Sequence, residues 1–352
     1  MAEQMKIVEH TRAVERARVF SRGLVVTRTP MRVSFAGGGT DLPGFYEREY
    51  GAVLSTTIDK YIYVTVKRHG DLFNEPVRVN YSRSEQVNRV DEIQNNIARE
   101  CLRFLGIDPP IYVSTVGDLP ASSGLGGSSS FAVGLLNALH AYRGERVTAG
   151  QLAEEAAHIE IDVLKEPIGK QDQYAAAFGG LNFFLFKPGG AVTVEPLRAA
   201  NGAINELFDR MMMFWTGHQR DSGTVLAEQD KRTDQNVSQL LEMRGHAHAL
   251  QSLLSNGRFD PEAFGGVLHH TWELKRRLAS TISTSQIDTW YRHAMDAGAE
   301  GGKICGAGGG GFLLFIVRPE RQQAVRNALR GLVEVRVGYE VHGSQLLSPF
   351  VE

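Results

Sequence analysis

The chain has 352 residues, length enough for about two domains of ordinary size, each with its own core. With 42% hydrophobic and 22% charged residues and a formal net charge of −2, it has the balance of a globular protein and no global basic field to hold a nucleic acid or an anionic membrane. Two cysteines, Cys101 and Cys305, exclude a disulfide framework, and with no zinc-type Cys/His spacing, no signal pattern and no membrane-length apolar run, the expected compartment is the cytoplasm.

Residues 1–23 mix acids and arginines and read as an N-terminal extension without chemistry. Strand patterns follow at "LVVTR", "MRVSFA", "AVLSTTI", the alternating "YIYVTVK" and "IYVSTV". Apolar residues then recur at helical spacing over 129–142 and 151–164, before a further strand, "LNFFLF". Past residue 200 the pattern restarts with the buried strand "MMMFWTG" and helices near 233–255, 261–279 and 285–298. It closes with the strand "GFLLFIV", a helix near 319–332 and the strand-like "VEVRVGY". Strands first, then helices with strands among them, predict an α+β fold rather than a regular βαβ repeat. A domain boundary is expected near residue 200, separating an N-terminal domain over 24–200 from a C-terminal one over 201–352.

Four stretches carry candidate chemistry. In "DLPASSGLGGSSSFAVG" (118–134), Gly124, Gly126 and Gly127 bare the backbone of a turn. The turn leads into a helix carrying Phe131, Val133, Leu135, Leu136 and Leu139, with Ser128 to Ser130 as natural N-caps. A glycine loop at a helix N-terminus draws anions to its free N–H groups, so phosphate is the leading ligand, although a tight turn that binds nothing has the same composition. In "TPMRVSFAGGGTD" (29–41), a strand runs into Gly37 to Gly39 and ends on Asp41, which can accept hydrogen bonds from hydroxyls or simply close a turn.

In "HIEIDVLKEPIGKQDQYAAAFGG" (158–180), a helix bearing Glu160 and Asp162 breaks at Pro167 and leads to Asp172; Asp162 reads as a solvated acid. In "GGKICGAGGGGFLLF" (301–315), Gly306, Gly308 and Gly311 satisfy G-x-G-x-x-G, but a buried strand follows where a dinucleotide site needs a helix. A Walker loop is excluded too, since no glycine–lysine pair precedes serine or threonine in the required frame. Lys303 in this stretch reads as structural.

Taken together in order and spacing, "TPMRVSFAGGGTD", "LPASSGLGGSSSF" and "KICGAGGGGF" resemble the three motifs of the GHMP small-molecule kinases. That superfamily includes galactokinase, homoserine kinase, mevalonate kinase and phosphomevalonate kinase, and the likeness spans residues 29–312. "GGGTDLP", "SSGLGGSSSF", "EIDVLKEPIGKQDQYAAAFGG" and "TGHQRDSG" are most similar to the bacterial heptose kinases, with fucokinase-type enzymes as near relatives. Heptose kinases of this branch phosphorylate D-glycero-D-manno-heptose 7-phosphate at the anomeric hydroxyl, feeding nucleotide-activated heptose for surface polysaccharide. The resemblance implies a two-domain GHMP kinase fold with its active site in the cleft between the domains, and ATP with Mg²⁺ as cofactors. It leaves a decarboxylase of the diphosphomevalonate type, or a catalytically inactive binding protein, as alternatives.

Residue by residue, the resemblance implies that Ser123, Gly124, Leu125, Gly126, Gly127, Ser128 and Ser129 wrap ATP. Ser128 and Glu160 would hold Mg²⁺, while Gly127 stands where the usual pattern has a serine. Asp172 would face the acceptor hydroxyl, with Arg32 beside it to stabilise charge on the transferring phosphoryl group. Asp41, with Gly38, Gly39 and Thr40, would bind the sugar; the galactokinase branch has a glutamate and a histidine where Gly38 and Gly39 stand, so room is left for a longer or phosphorylated substrate. Lys170, Arg220 and Arg83 are the candidate cations for a distal phosphate. Gly306 to Gly311 would pack against the nucleotide loop. The expected partners are a sugar phosphate and ATP, for a monomer or homodimer.

Overall fold

The structure, a computed structural model, describes residues 23–70, 72–200, 202–219, 222–255 and 259–347. The expected extension therefore lies outside the described residues, apart from Gly23.

Each of the first two pairs of strand patterns forms one long strand: β1 (Leu24–Ala36) and β2 (Gly51–Arg68), which run antiparallel. Proline cannot donate to a ladder, and the interruption it signals at Pro30 is absorbed as a register shift between Pro30 and Met31 instead of a loop. β3 (Val77–Asn80) and β4 (Ser84–Val87) form a hairpin, and β5 (Ile111–Gly117) pairs with β3 in parallel and with the far half of β2. β6 (Leu181–Phe186) takes the near half of β2, with β7 (Val192–Pro196) outside it.

A second, antiparallel sheet has the order β11-β8-β10-β9, formed by β8 (Met211–Trp215), β9 (Ala299–Ile304), β10 (Phe312–Val317) and β11 (Val333–Glu334). Only Val333 and Glu334 of "VEVRVGY" join that sheet. The chain then returns to the first one, where Tyr339 bridges Ile58 and β12 (Gln345–Leu346) pairs with β1.

Among the helices are α1 (Asn96–Phe104), α2 (Gly127–Tyr142), α3 (Ala149–Ala157), α4 (Gln171–Phe178) and, in the second half, α5 (Ser222–Lys231), α6 (Val237–Ser255), α7 (Pro261–Leu278) and α8 (Ser285–Asp296). α2 lies across β1 and β2 and is buried nearly all round, so its apolar residues are not confined to one stripe. It starts at Gly127 behind a left-handed Gly126 (φ 75), two residues earlier than the apolar period indicates. Ser128 to Ser130 therefore sit inside the first turn and are not caps; Ser130 Oγ instead donates back to the carbonyls of Pro30 and Gly126 at 2.9 and 3.0 Å.

The helix expected over 151–164 is α3 followed by a π-helical turn, His158–Val163. One apolar core runs from beneath the first sheet, around Val33, Phe35 and Leu136, into the second half at Met213, Leu250, Phe264 and Phe312. A second cluster, around Phe214, Trp272 and Phe315, packs on the other face of the second sheet. Among the described residues no helix is long and apolar enough to cross a membrane.

Candidate active site

The end of β1 with its following turn, the loop before α2, the start of α4 and the glycine segment after β9 converge on one cleft. The second and third glycine stretches meet backbone to backbone there. Gly124 has φ +82, and a Cβ on it would stand 2.6 Å from the carbonyl oxygen of Cys305; a Cβ on Gly306 would stand 2.5 Å from the Gly124 Cα. A side chain on either glycine would collide with the other backbone, so the third motif packs against the glycine loop before α2.

Arg32 lies at the centre. It sits on β1, where its main-chain N–H donates to the Leu125 carbonyl at 3.0 Å. Its Nε and Nη2 donate to Asp172 Oδ1 and Oδ2, both at 2.7 Å, and Nη1 donates to the Gly124 carbonyl at 2.7 Å. Such a two-pronged charged pair fixes both partners' orientation as well as their charge. Arg32 is buried, while the side chain of Asp172, in the first turn of α4, keeps 22% of its surface open to the cleft.

Asp41 is buried, with Oδ1 accepting from the Gly39 N–H at 2.9 Å and Oδ2 facing the Gln171 N–H at 3.5 Å. Burial pushes its carboxyl above the usual range and the charge of Asp172 adds to that, while the Gly39 N–H opposes both. Glu160, on the π-helical turn behind the glycine loop, is pushed up to about 7 by burial, against the lowering contacts of Ser129, Gln173 and Ser128. Gln173 Nε2 donates to Glu160 Oε2 at 2.7 Å.

Ser129 Oγ faces the same carboxylate yet makes no well-formed hydrogen bond among the described residues, an orphaned buried oxygen beside a buried acid. With Ser128 these atoms make an all-oxygen set, the kind a hard divalent cation takes, and such a cation keeps waters and substrate phosphates as its other ligands. Asp162 is exposed and pairs with His158 Nδ1 at 3.0 Å, in keeping with a solvated acid.

Ser123, Gly124, Gly126, Gly127, Ser128 and Ser129 line the cleft, as do Gly38, Gly39 and Asp41. Four of the expected contacts are placed elsewhere. The Thr40 hydroxyl donates to the Gly37 carbonyl at 2.8 Å and accepts from the Ala52 N–H at 3.0 Å, so it pins the turn to β2 and is not free for a sugar. The Leu125 side chain is in the core, and only its carbonyl serves the site, by holding Arg32. Lys170 Nζ donates to the Gly190 carbonyl at 2.8 Å with Glu154 at 3.6 Å, away from the cleft lining. Arg83 is exposed on the β3–β4 hairpin, off the cleft. Arg220 lies outside the described residues.

The structure also brings in two lysines. Lys275 Nζ donates to the Gly306 carbonyl, and Lys303 Nζ donates to the Ser34 and Phe35 carbonyls at 2.7 and 3.2 Å; both residues are buried in the cleft lining. Burial pulls Lys275 down to about 8, helped by Arg32, and pulls Lys303 down to about 7, helped by Lys275. Lys275 sits in the basic run "KRR", which reads as solvated, but it falls in register with the buried Phe264, Leu268, Thr271, Trp272 and Leu278. A cation on the apolar stripe of an amphipathic helix was the available signal. Lys303, read as structural, ties β9 to the end of β1 through those carbonyls and also lines the cleft.

Residues 90–180 match the family description "GHMP kinases N terminal domain" and residues 249–334 match "GHMP kinases C terminal". D-glycero-alpha-D-manno-heptose 7-phosphate kinase from Campylobacter jejuni is 32% identical over 319 residues, covering 86% of this chain and 92% of that protein. The chain belongs to the GHMP kinases.

This GHMP kinase is also 26% identical to L-fucokinase/L-fucose-1-P guanylyltransferase from Bacteroides fragilis, across 91% of its own length and 37% of that protein. Its fold matches the crystal structure of a D-glycero-D-manno-heptose 1-phosphate kinase from Bacteroides thetaiotaomicron with a TM-score of 0.76 and 24% identity, covering 93% of this chain and 100% of the other. A putative sugar kinase from Campylobacter jejuni matches with a TM-score of 0.67 and 26% identity, covering 93% and 98%. The protein is a sugar kinase, a phosphotransferase with the two-domain GHMP fold, and GHMP sugar kinases draw the phosphoryl group from ATP.

Proposed function

We propose that this kinase transfers the γ-phosphoryl group of ATP to the anomeric hydroxyl of D-glycero-D-manno-heptose 7-phosphate, giving the 1,7-bisphosphate. The observation that carries the reading is the Arg32–Asp172 fork, set in the cleft beside the glycine loop and Asp41. The likeness to the Campylobacter heptose 7-phosphate kinase supports the choice of acceptor.

In this reading the N–H groups of Gly124 to Ser129 and the start of α2 receive the triphosphate. Ser128, Ser129 and Glu160 would hold Mg²⁺, which when bound neutralises phosphate charge. Asp172 accepts the hydrogen bond of the anomeric hydroxyl and takes its proton as the new O–P bond forms and the bond from the γ-phosphorus to the bridging oxygen of ADP breaks. The Arg32 guanidinium, fixed on both sides, sits where charge builds on the transferring group. Asp41 receives a sugar hydroxyl and sets the ring's orientation.

The test is ADP release with ATP against heptose 7-phosphate, heptose 1-phosphate, mannose, fucose, galactose and mevalonate, followed by phosphorus NMR of the product. Heptose 7-phosphate is expected to give the highest kcat/KM and a new anomeric phosphate. Hexoses turned over at least as fast, or a product phosphorylated elsewhere, would refute the assignment.

A further inference from the structure

Four groups of the cleft lining, Lys275, Lys303, Ser34 and Gln229, are short of partners. Lys275 and Lys303 are both buried, and among the described residues neither forms an ion pair; their ammonium groups rest on carbonyl oxygens of Gly306, Ser34 and Phe35. Ser34 Oγ and Gln229 Nε2, both donors, are buried and unpartnered among the described residues. A Cβ on Gly38 would lie 3.9 Å from Ser34 Oγ, and one on Gly39 would lie 2.1 Å from Gln229 Nε2, so these donors border the same glycine turn.

Charge counting gives the chamber a sign. Asp172 is matched by the fork of Arg32, and Asp41 is held by the Gly39 N–H. Lys275 and Lys303 then share one remaining carboxylate, Asp41, so three cations stand against two carboxylates in the cleft lining and the excess is positive. Burying an ammonium without a counter-charge costs several kcal/mol, and each lysine's depressed proton affinity reflects that cost. An anion with several acceptor oxygens would satisfy both lysines and both orphaned donors at once.

We propose that Lys275 and Lys303, with the Ser34 hydroxyl and the Gln229 amide, form the subsite for the distal phosphate of the acceptor. This rests on the reading of the acceptor as a sugar phosphate, and it replaces Lys170 and Arg83, whose side chains are committed or exposed elsewhere. Gly38 and Gly39 then have a reason to lack side chains: the far end of the substrate passes over them to reach the two ammonium groups.

The experiment uses the full-length enzyme saturated with a non-hydrolysable ATP analogue and Mg²⁺, so that the nucleotide loop is filled. Inorganic phosphate is titrated by calorimetry into wild type, Lys275→Met, Lys303→Met and, as a milder change that keeps the charges, Ser34→Ala. Phosphate is expected to bind wild type, to lose about 10- to 100-fold in affinity in either lysine variant, and to lose less in Ser34→Ala, as befits charged against neutral hydrogen bonds. Kinetically, the ratio of kcat/KM for mannose 6-phosphate to that for mannose should fall by a similar factor, with KM for ATP within about twofold of wild type.

Equal phosphate affinity in all four proteins would overturn the proposal. A rise in KM for ATP with an unchanged sugar ratio would also overturn it, because it would assign the lysines to the nucleotide. Should heptose 7-phosphate fail as a substrate, the phosphate titration still decides on the subsite, so the two failures are told apart. Should a lysine variant fail to fold, Ser34→Ala and the paired sugars carry the decision.

Discussion

The guanidinium of Arg32 holds both oxygens of Asp172 at 2.7 Å while its remaining nitrogen holds the Gly124 carbonyl at 2.7 Å. One side chain thereby fixes the distance between the glycine loop before α2 and the Asp172 carboxylate, which the proposed function assigns to nucleotide and acceptor respectively. Phosphoryl transfer depends mainly on alignment and charge neutralisation, so this triple contact has more bearing on rate than any single hydrogen bond in the cleft. A lysine offers a point charge in place of the planar fork and cannot hold both ends. Arg32→Lys should lower kcat by about 100-fold and also raise KM for ATP, because the loop loses its brace. Steady-state kinetics with varied ATP decide this, and an unchanged KM for ATP would remove the bracing role.

Asp172 should separate from nucleotide binding cleanly. Its carboxylate touches Arg32 and opens to the cleft, and under the proposed function it meets the acceptor while backbone N–H groups of the glycine loop receive the nucleotide. Asp172→Asn keeps the shape but cannot take a proton, and it should cut kcat by about 100- to 10,000-fold. The dissociation constant of an ATP analogue should move by less than about threefold, read by calorimetry. A variant with near-normal kcat would take Asp172 out of the mechanism.

What could be read ahead of the structure follows a physical division. Glycine runs and the strand-to-helix turn are local chemistry, which leaves a pattern in neighbouring residues, whereas Arg32 and the role of Asp172 were legible only through the resemblance to a family. The return of β12 to β1 leaves none, since the two meet across more than 300 residues and Gln345 and Leu346 carry no pairing code of their own. Thr40 looked free because its two backbone partners, Gly37 and Ala52, are brought in by a turn geometry that a sequence does not spell out. The serines after Gly127 looked like caps because serine caps helices often, but Gly126 in the left-handed region starts the helix sooner. Lys275 was hidden by two adjacent arginines, and only its phase on α7 betrays it.

Gly38 and Gly39 should respond differently to substitution. At Gly38 a Cβ would meet Gln171 Nε2 and Ser34 Oγ at the ordinary contact distances of 3.7 and 3.9 Å. Gly39 has φ +101, and a Cβ there would lie 2.1 Å from Gln229 Nε2. Gly38→Glu should therefore keep its Tm within about 2 °C, while kcat/KM for heptose 7-phosphate falls at least about 10-fold as the carboxylate meets the substrate. Gly39→Ala should lose about 1 kcal/mol or more from backbone strain alone, a drop of roughly 2–4 °C in Tm. Equal melting of the two variants would show that the turn tolerates a side chain at either place.

The buried Lys303 makes a pH-dependent contribution whose direction is fixed. In the unfolded chain it titrates near its ordinary 10.5, and in the folded protein burial and then the Lys275 charge pull it down to about 7, with Arg32 adding. Between those values the unfolded chain binds a proton that the folded protein does not, so the residue's contribution to stability rises with pH, by about 1.4 kcal/mol per pH unit. Below about pH 7 the folded lysine is charged and its full burial cost is felt; toward pH 10.5 the cost disappears. Lys303→Met removes this titration while keeping an apolar stem of similar length. Urea unfolding of both proteins at about pH 6.5, 8 and 9.5 should show the variant's advantage over wild type shrinking as pH rises, by roughly 3 kcal/mol from the lowest to the highest of the three. A difference that stays flat across the three conditions would mean the ammonium keeps its proton in the folded cleft, and that the Ser34 and Phe35 carbonyls solvate it better than its burial implies.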